Sequence, residues 1–344
     1  MNSVAILGAG SWGTALAVHL SHAGHRVRLW ARDPELVSRM ASSRTNPTYL
    51  PETRLSDAIE PTSSLEHALD GSAFVTVAVP SHGVRSVLRA AAPFVPPGAV
   101  VVSATKGLET DSLLRMSEVA TAELGHPRRI AVLSGPSFAL EVARQCPTAL
   151  VVASCDGDTA VRVQHEFRGR YLRLYVTDDV VGVETGGAIK NVIAIAAGVA
   201  EGLGLGHNAM AALITRGLAE VSRLACALGG RRETLAGLSG MGDLVLTCTG
   251  QLSRNRHVGM QLARGRPLDE ILAGMKMVAE GVRTTAAAVA LGARHGAELP
   301  ITAQMAEVLA GRKAPRDGLE ELMLRRQRPE HESSESRWKP DAGT

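Results

Sequence analysis

Two lysines and an aspartate stand out in this 344-residue chain, because their surroundings suit proton and anion chemistry. Lys190, with Asn191 beside it, interrupts an apolar run of small residues, GGAIKNVIAIAAGVAEGLGLGHN at 186–208. Burial disfavours the charged form of an amine, so a lysine enclosed in such a helix has its pKa drawn down to a range where it exchanges protons. A long side chain also lets an ammonium reach water, and the residues alone leave both outcomes open. Lys106 follows a strand-like run in ATKGLE (104–109), and Asp243 lies in the glycine-rich turn GMGDL (240–244). SGPSFALEV (134–142) is a Gly-Pro-Ser turn feeding a helix whose first N–H groups suit an anion. SRNR (253–256) places Arg254 between Ser253 and Asn255, the company of a phosphate or polyol clamp. A solvated arginine pair is the plainer alternative. KMVAEGVRTT (276–285) carries Glu280 before a glycine and a helix start.

A second constellation lies at the N-terminus. GAGSWG (8–13) sits between an apolar strand and a helix. Gly8 permits the tight turn, Gly10 lets a pyrophosphate approach the backbone, and Gly13 lets helix and strand pack closely. The helix N-terminus then offers free N–H groups and the positive dipole end. A lone GxGxxG is a weak signal, and its strand–turn–helix context is what makes it a nicotinamide dinucleotide site. The next strand ends Trp30-Ala31-Arg32-Asp33. Arg32 is placed as a fork for a 2′-phosphate, with Asp33 turned away, which favours NADPH and leaves NADH as the second choice. In VAVPSHG (77–83), Pro80 stops the strand and Ser81 is expected to cap the next helix.

These residues need a frame. Strands are predicted at Val4–Leu7, Arg26–Trp30, Phe74–Val79, Ala99–Ala104, Ile130–Leu133, Ala149–Ala153 and Tyr171–Val176. Helical runs fall at Gly13–Ala23, Gly83–Ala92 and Ser112–Leu124. Near-continuous apolar strands alternating with helices describe an α/β, doubly wound, mostly parallel sheet of Rossmann type. From about Val183 strand signals vanish and helical spacing takes over, as at Ala211–Leu228, Ala286–His295 and Thr302–Leu309. The expected organisation is a dinucleotide-binding domain at 1–180, an all-helical substrate and catalytic domain at 181–325, and a disordered polar tail at 326–344.

Composition narrows the class. The hydrophobic fraction of 45% and charged fraction of 21% suit a globular protein with a sizeable core. A net charge of +3 and an aromatic content of 3% argue against a nucleic-acid binder. Cys146, Cys155, Cys226 and Cys248 form no CxxC pair, and are expected to be reduced, mostly buried thiols. The early strand at Val4–Leu7 argues against a secretory signal. The stretch Ile189–Ala200, broken by Lys190 and Asn191, reads as too short and too polar to span a bilayer. A cytoplasmic enzyme is the expectation.

Taken in order, GAGSWGTALA, VPSH, ATKGLE, SGPSFA, the segment Gly187–Asn208, SGMGDL, SRNR, EGVRTT and ELPI resemble the bacterial NAD(P)-dependent glycerol-3-phosphate dehydrogenase family, from about residue 3 to residue 324. The resemblance implies reversible reduction of dihydroxyacetone phosphate to sn-glycerol 3-phosphate, feeding phospholipid synthesis. It implies that Lys190 is the acid/base and that Lys106 adds positive charge near nicotinamide and substrate. Gly135, Ser137, Asp243, Ser253, Arg254 and Asn255 would hold glycerol phosphate, with Arg254 also touching the cofactor. Ser11, Trp12, Arg32, Ala139, Val278 and Glu280 would complete the cofactor site. No metal is implied, and a homodimer is. The rival reading is a related two-domain dehydrogenase acting on a 3-hydroxy acid or ketopantoate, which gives no reason for SRNR and GPSF together. A dinucleotide sensor without turnover would not need both lysines, and the Arg325, Arg326, Arg328 cluster is too short for a partner-binding arm.

Overall fold

The computed structural model describes residues 2–125, 129–275 and 277–326. Its strands are β1 (Ser3–Leu7), β2 (Arg26–Trp30), β3 (Thr45–Asn46), β4 (Leu50–Arg54), β5 (Ile59–Thr62), β6 (Phe74–Val77), β7 (Val100–Ser103), β8 (Arg129–Ser134), β9 (Thr148–Ala153) and β10 (Leu172–Thr177). Among the described residues, eight of these form one sheet in the order β10-β9-β8-β7-β6-β1-β2-β5, while β3 and β4 pair separately. All neighbours in the large sheet are parallel except β8 and β9. The order turns back at β1, between β2 and β6, the switch point beside which open α/β sheets bind ligands.

The apolar strands need cover on both faces, and alternate side chains supply it. Val4, Ile6, Phe74, Val100 and Val102 enter one core cluster. Ala5, Leu7, Val75, Val77 and Val101 enter the cluster on the opposite face. The covering helices are α1 (Ser11–His22), α2 (Pro34–Ser43), α3 (Leu65–Leu69), α4 (Ser81–Ala91), α5 (Met116–Leu124), α6 (Ala139–Ala143) and α7 (Gly157–Phe167).

Beyond Thr177 the described chain is helical: α8 (Val180–Gly202), α9 (Gly206–Ala227), α10 (Arg232–Leu235), a π-turn at Leu238–Gly242, α11 (Asp243–Thr249), α12 (Arg254–Ala263), α13 (Leu268–Ala273), α14 (Glu280–Arg294), α15 (Pro300–Leu309) and α16 (Pro315–Met323). α8 is the hub, buried along nearly its whole length. At 23 residues it is long and apolar enough to cross a membrane by length and composition, contrary to the sequence expectation. Its apolar surface instead packs into the helical core, with 89% of its most apolar window buried.

Close packing against α8 depends on glycine. A Cβ on Gly198 would lie 1.9 Å from the Arg256 carbonyl oxygen, and one on Gly259 would lie 2.0 Å from that of Ile195. α8 and α12 therefore meet backbone to backbone. Gly259→Ala is expected to destabilise the fold by about 3 kcal/mol through overpacking. A chemical denaturation midpoint equal to the parent's would show that the two helices can separate without loss.

Several expectations change. α5 begins at Met116 rather than Ser112, because Leu108 and Arg115 form an antiparallel bridge and Arg115 with Glu118 closes a capping box. The β3–β4 hairpin, β5, α2, α3 and α7 were not predicted: these elements are short, or polar on their exposed face. The cysteines are free, but Cys248 is the buried one, with Cys155 and Cys226 exposed and Cys146 intermediate. The expectation for the tail falls almost wholly on residues 327–344, outside the described residues.

Candidate active site

The glycine-rich loop has the geometry its residues anticipate. Gly8 has φ +119°, and a Cβ there would sit 2.9 Å from the Ala78 carbonyl group. A Cβ on Gly13 would lie 1.8 Å from the Gly8 carbonyl oxygen, so α1 packs directly on the turn. A Cβ on Gly10 would meet nothing within 4 Å, and α1 starts with no side-chain cap. An open backbone face over uncapped N–H groups fits a pyrophosphate. Trp12 donates from Nε1 to the Ala104 carbonyl (3.2 Å). The Ser11 hydroxyl is already engaged, donating to the Tyr49 carbonyl (2.8 Å) and contacting Met277 Sδ (3.0 Å). Asp33 caps α2 by accepting from the Glu35 N–H at 2.9 Å. Its carboxylate is thus engaged at the helix start, and Arg32 is exposed with no hydrogen bond or ion pair among the described residues.

The parallel strands β7 and β8 deliver Lys106 and the Gly135-Pro136-Ser137 turn to one edge of the sheet. Gly135 has φ +127°, a conformation that favours glycine and lets the turn lie against Leu150. α8 crosses this edge, where a Cβ on Gly187 would approach Ser134 Oγ to 2.7 Å and the Lys106 side chain to 3.5 Å. The π-turn and α11 then place Asp243 between the two lysines. Lys106 Nζ donates to Asp243 Oδ2 (2.7 Å) and the Gly135 carbonyl (2.7 Å), with Ser137 Oγ at 3.3 Å. Lys190 Nζ donates to Asp243 Oδ1 and to Thr247 Oγ1 (2.8 Å).

The question left open for Lys190 is answered by burial: its side chain is 7% exposed and that of Asp243 only 1%. Burial draws the Lys190 pKa down to about 7, with Lys106 pushing the same way and Asp243 opposing both. An amine with that pKa holds or releases a proton near neutrality. Cys248, close by, is pushed up to about 12 by burial and stays a thiol.

The SRNR segment opens α12. Ser253 is its N-cap, accepting from the Arg256 N–H at 3.2 Å. Arg256 pairs with Glu201 away from the lysines, whereas Arg254 is exposed and makes no hydrogen bond or ion pair among the described residues. Asn255 is buried and structural contacts occupy much of it. It donates to Asn191 Oδ1 (2.9 Å) and accepts from the Gly281 N–H (3.0 Å), tying α8, α12 and α14 together. Ala139 begins α6 and Val278 is partly buried just before α14.

Glu280 begins α14 and accepts from the Ser81 N–H (3.0 Å) and hydroxyl (2.6 Å). Ser81 therefore does not cap α4 as expected. Pro80 is the N-cap residue, and the carboxylate from the distant helix takes that role. Sequence reasoning missed Thr247, which accepts from Lys190 Nζ, and Asn46, which donates to the Ala9 carbonyl of the glycine-rich loop. Thr247 follows Asp243 by one helical turn, a spacing that would have flagged it once α11 was known. Asn46 gives no such signal.

A doubly wound sheet carrying an uncapped glycine-rich loop and followed by a helical region, with a buried amine at its carboxyl edge, is the architecture of a dinucleotide-dependent dehydrogenase. The chain belongs to the NAD-dependent glycerol-3-phosphate dehydrogenase family, whose N-terminal description matches residues 3–160 and whose C-terminal description matches residues 179–320. It is 52% identical over 330 residues to glycerol-3-phosphate dehydrogenase [NAD(P)+] of Koribacter versatilis, covering 94% of this chain and 98% of that one. The crystal structure of glycerol-3-phosphate dehydrogenase from Coxiella burnetii superposes with a TM-score of 0.91 at 40% identity, covering 94% of this chain and 99% of that one. A ketopantoate reductase from Ralstonia eutropha, at 16% identity and a TM-score of 0.60, shares the fold alone.

Proposed function

We propose that the protein reduces dihydroxyacetone phosphate to sn-glycerol 3-phosphate, reversibly, with NAD(P)H, and so supplies glycerol phosphate for phospholipid synthesis in the cytoplasm. The observation that carries this reading is the buried Lys190 amine, held with Lys106 on one Asp243 carboxylate at the edge of the dinucleotide sheet. Bound NAD(P)H supplies the hydride. Lys190 donates its Nζ proton to the oxygen of the carbonyl that receives it, and takes that proton back in the oxidation direction. Lys106 adds positive charge where the oxygen becomes anionic, a role that needs fixed charge in a water-poor site.

The remaining residues bind and orient. Arg254 and the N-terminus of α12 offer a cation and free N–H groups to the phosphate, with Ser253 and Asn255 beside them. Gly135 and Ser137 hold the polyol end near Lys106. Gly8, Gly10, Ser11, Trp12 and Gly13 form the pyrophosphate wall, while Ala139, Val278 and Glu280 border the dinucleotide. In this reading residues 1–180 bind cofactor, residues 181–325 complete the substrate site, and two copies associate as a homodimer.

The reading favours NADPH, supported by the free Arg32 guanidinium and the capping role of Asp33. Arg32→Ala is expected to raise KM for NADPH about tenfold and to change KM for NADH less than twofold, since a phosphate–arginine pair is lost only with the former. Equal losses with both cofactors would remove Arg32 from that role. The activity itself is tested by initial rates on dihydroxyacetone phosphate, ketopantoate and a 3-keto acid with each cofactor. Turnover of the carboxylates and none of the triose phosphate would overturn it in favour of the rival dehydrogenase.

A further inference from the structure

β3 and β4 pair with each other and stand apart from the main sheet, packed on the glycine-rich loop. Asn46, in β3, is fully buried. Its Nδ2 donates to the Ala9 carbonyl (2.8 Å) and to Thr14 Oγ1 (2.9 Å), and its Oδ1 accepts from the Tyr49 N–H (3.1 Å). The Tyr49 carbonyl in turn accepts from the Ser11 hydroxyl. Ala9, Ser11 and Thr14, all within or just beyond GAGSWG, are thus gripped by one hairpin.

The grip has a directional consequence. In a trans peptide the carbonyl and the following N–H point in opposite directions. Anchoring the Ala9 carbonyl inward on Asn46 turns the Gly10 N–H outward. That N–H meets no acceptor among the described residues, and a Cβ on Gly10 would meet nothing within 4 Å. We propose that Asn46 is a positioning residue for the dinucleotide: it sets the Ala9–Gly10 peptide plane so that the Gly10 N–H faces the bound phosphates. This rests on reading GAGSWG as the pyrophosphate cradle. Without the amide, the Ala9 carbonyl keeps only the longer contact from the Thr14 hydroxyl (3.4 Å), the plane is held less firmly before binding, and the loss falls on cofactor affinity.

The test uses the full-length enzyme and two variants, with NADPH affinity read from quenching of tryptophan fluorescence and from steady-state kinetics. Asn46→Ala is expected to raise Kd and KM for NADPH about tenfold, the loss expected for buried hydrogen bonds of this kind. KM for dihydroxyacetone phosphate and kcat at saturating NADPH should each change less than about twofold, because the substrate side of the site is untouched. Thr14→Val, which removes one of the two acceptors of the Asn46 amide and the hydroxyl's own long contact to the Ala9 carbonyl, should raise Kd about two- to threefold. A merely structural asparagine would instead lower the active fraction, and so kcat, with KM unchanged. That pattern, or a parental Kd in either variant, would overturn the proposal, and Thr14→Val decides alone if Asn46→Ala does not fold. A parent enzyme that fails to bind NADPH would overturn the cradle reading itself, and this inference with it.

Discussion

Lys190→Ala is expected to lower turnover about a thousandfold while NADPH binding stays within about threefold of the parent, the scale at which a positioned general acid/base contributes. Asp243 keeps Lys106 as a partner in this variant, so no buried carboxylate is stranded. Lys190→Met, closer in volume, should lose turnover equally, which separates lost chemistry from a lost packing contact. The parent's pH dependence follows from the amine's pKa of about 7. Below that pH Lys190 carries its proton, and above it the amine is neutral. Glycerol phosphate oxidation needs the neutral amine, so its kcat/KM should rise with pH through about 7 and then level. Ketone reduction needs the ammonium and should fall over the same range. Turnover in Lys190→Ala within a few-fold of the parent, or flat profiles in both directions, would assign the proton to another group.

Asp243→Asn should produce the second large effect. The side chain keeps its size but no longer neutralises the two amines that share it. The attraction that holds the Lys190 pKa up is removed, while burial and Lys106 still push it down, so the inflection should move below 7. At neutral pH less ammonium remains to protonate the substrate oxygen, and reduction should slow about a hundredfold. Thermodynamic stability should fall by about 3 kcal/mol, because buried amines lose their counter-charge. An unmoved inflection with parental stability would mean that Asp243 does not govern the lysines. Comparing oxidation with reduction is informative, since the lowered pKa leaves a neutral base available at lower pH.

Some of this architecture was legible before any coordinates. The apolar runs around Val4–Leu7, Phe74–Val77 and Val100–Ser103 are strands because residues buried on both faces leave little room for polar side chains. GAGSWG declared its turn because two of its glycines meet steric demands that other residues cannot satisfy: positive φ at Gly8 and contact with Gly8 at Gly13. Asp33 caps α2 because Pro34 starts a helix whose first N–H groups need an acceptor. Glu280 was placed correctly at a helix start, but its grip on Ser81 spans 199 residues and has no local trace.

Residue types and their near neighbours therefore determined the sheet, the glycine turn and the candidacy of Lys190, since each depends on interactions within a few positions of chain. Whether that lysine meets water or an interior carboxylate was decided only when α8, the β7 edge and α11 converged, because desolvation is a property of everything packed around a group. The same holds for Asn46, whose amide meets Ala9 and Thr14, more than thirty positions away. Local sequence specifies what a side chain is able to do, and tertiary packing sets the dielectric and the partners that decide whether it does so.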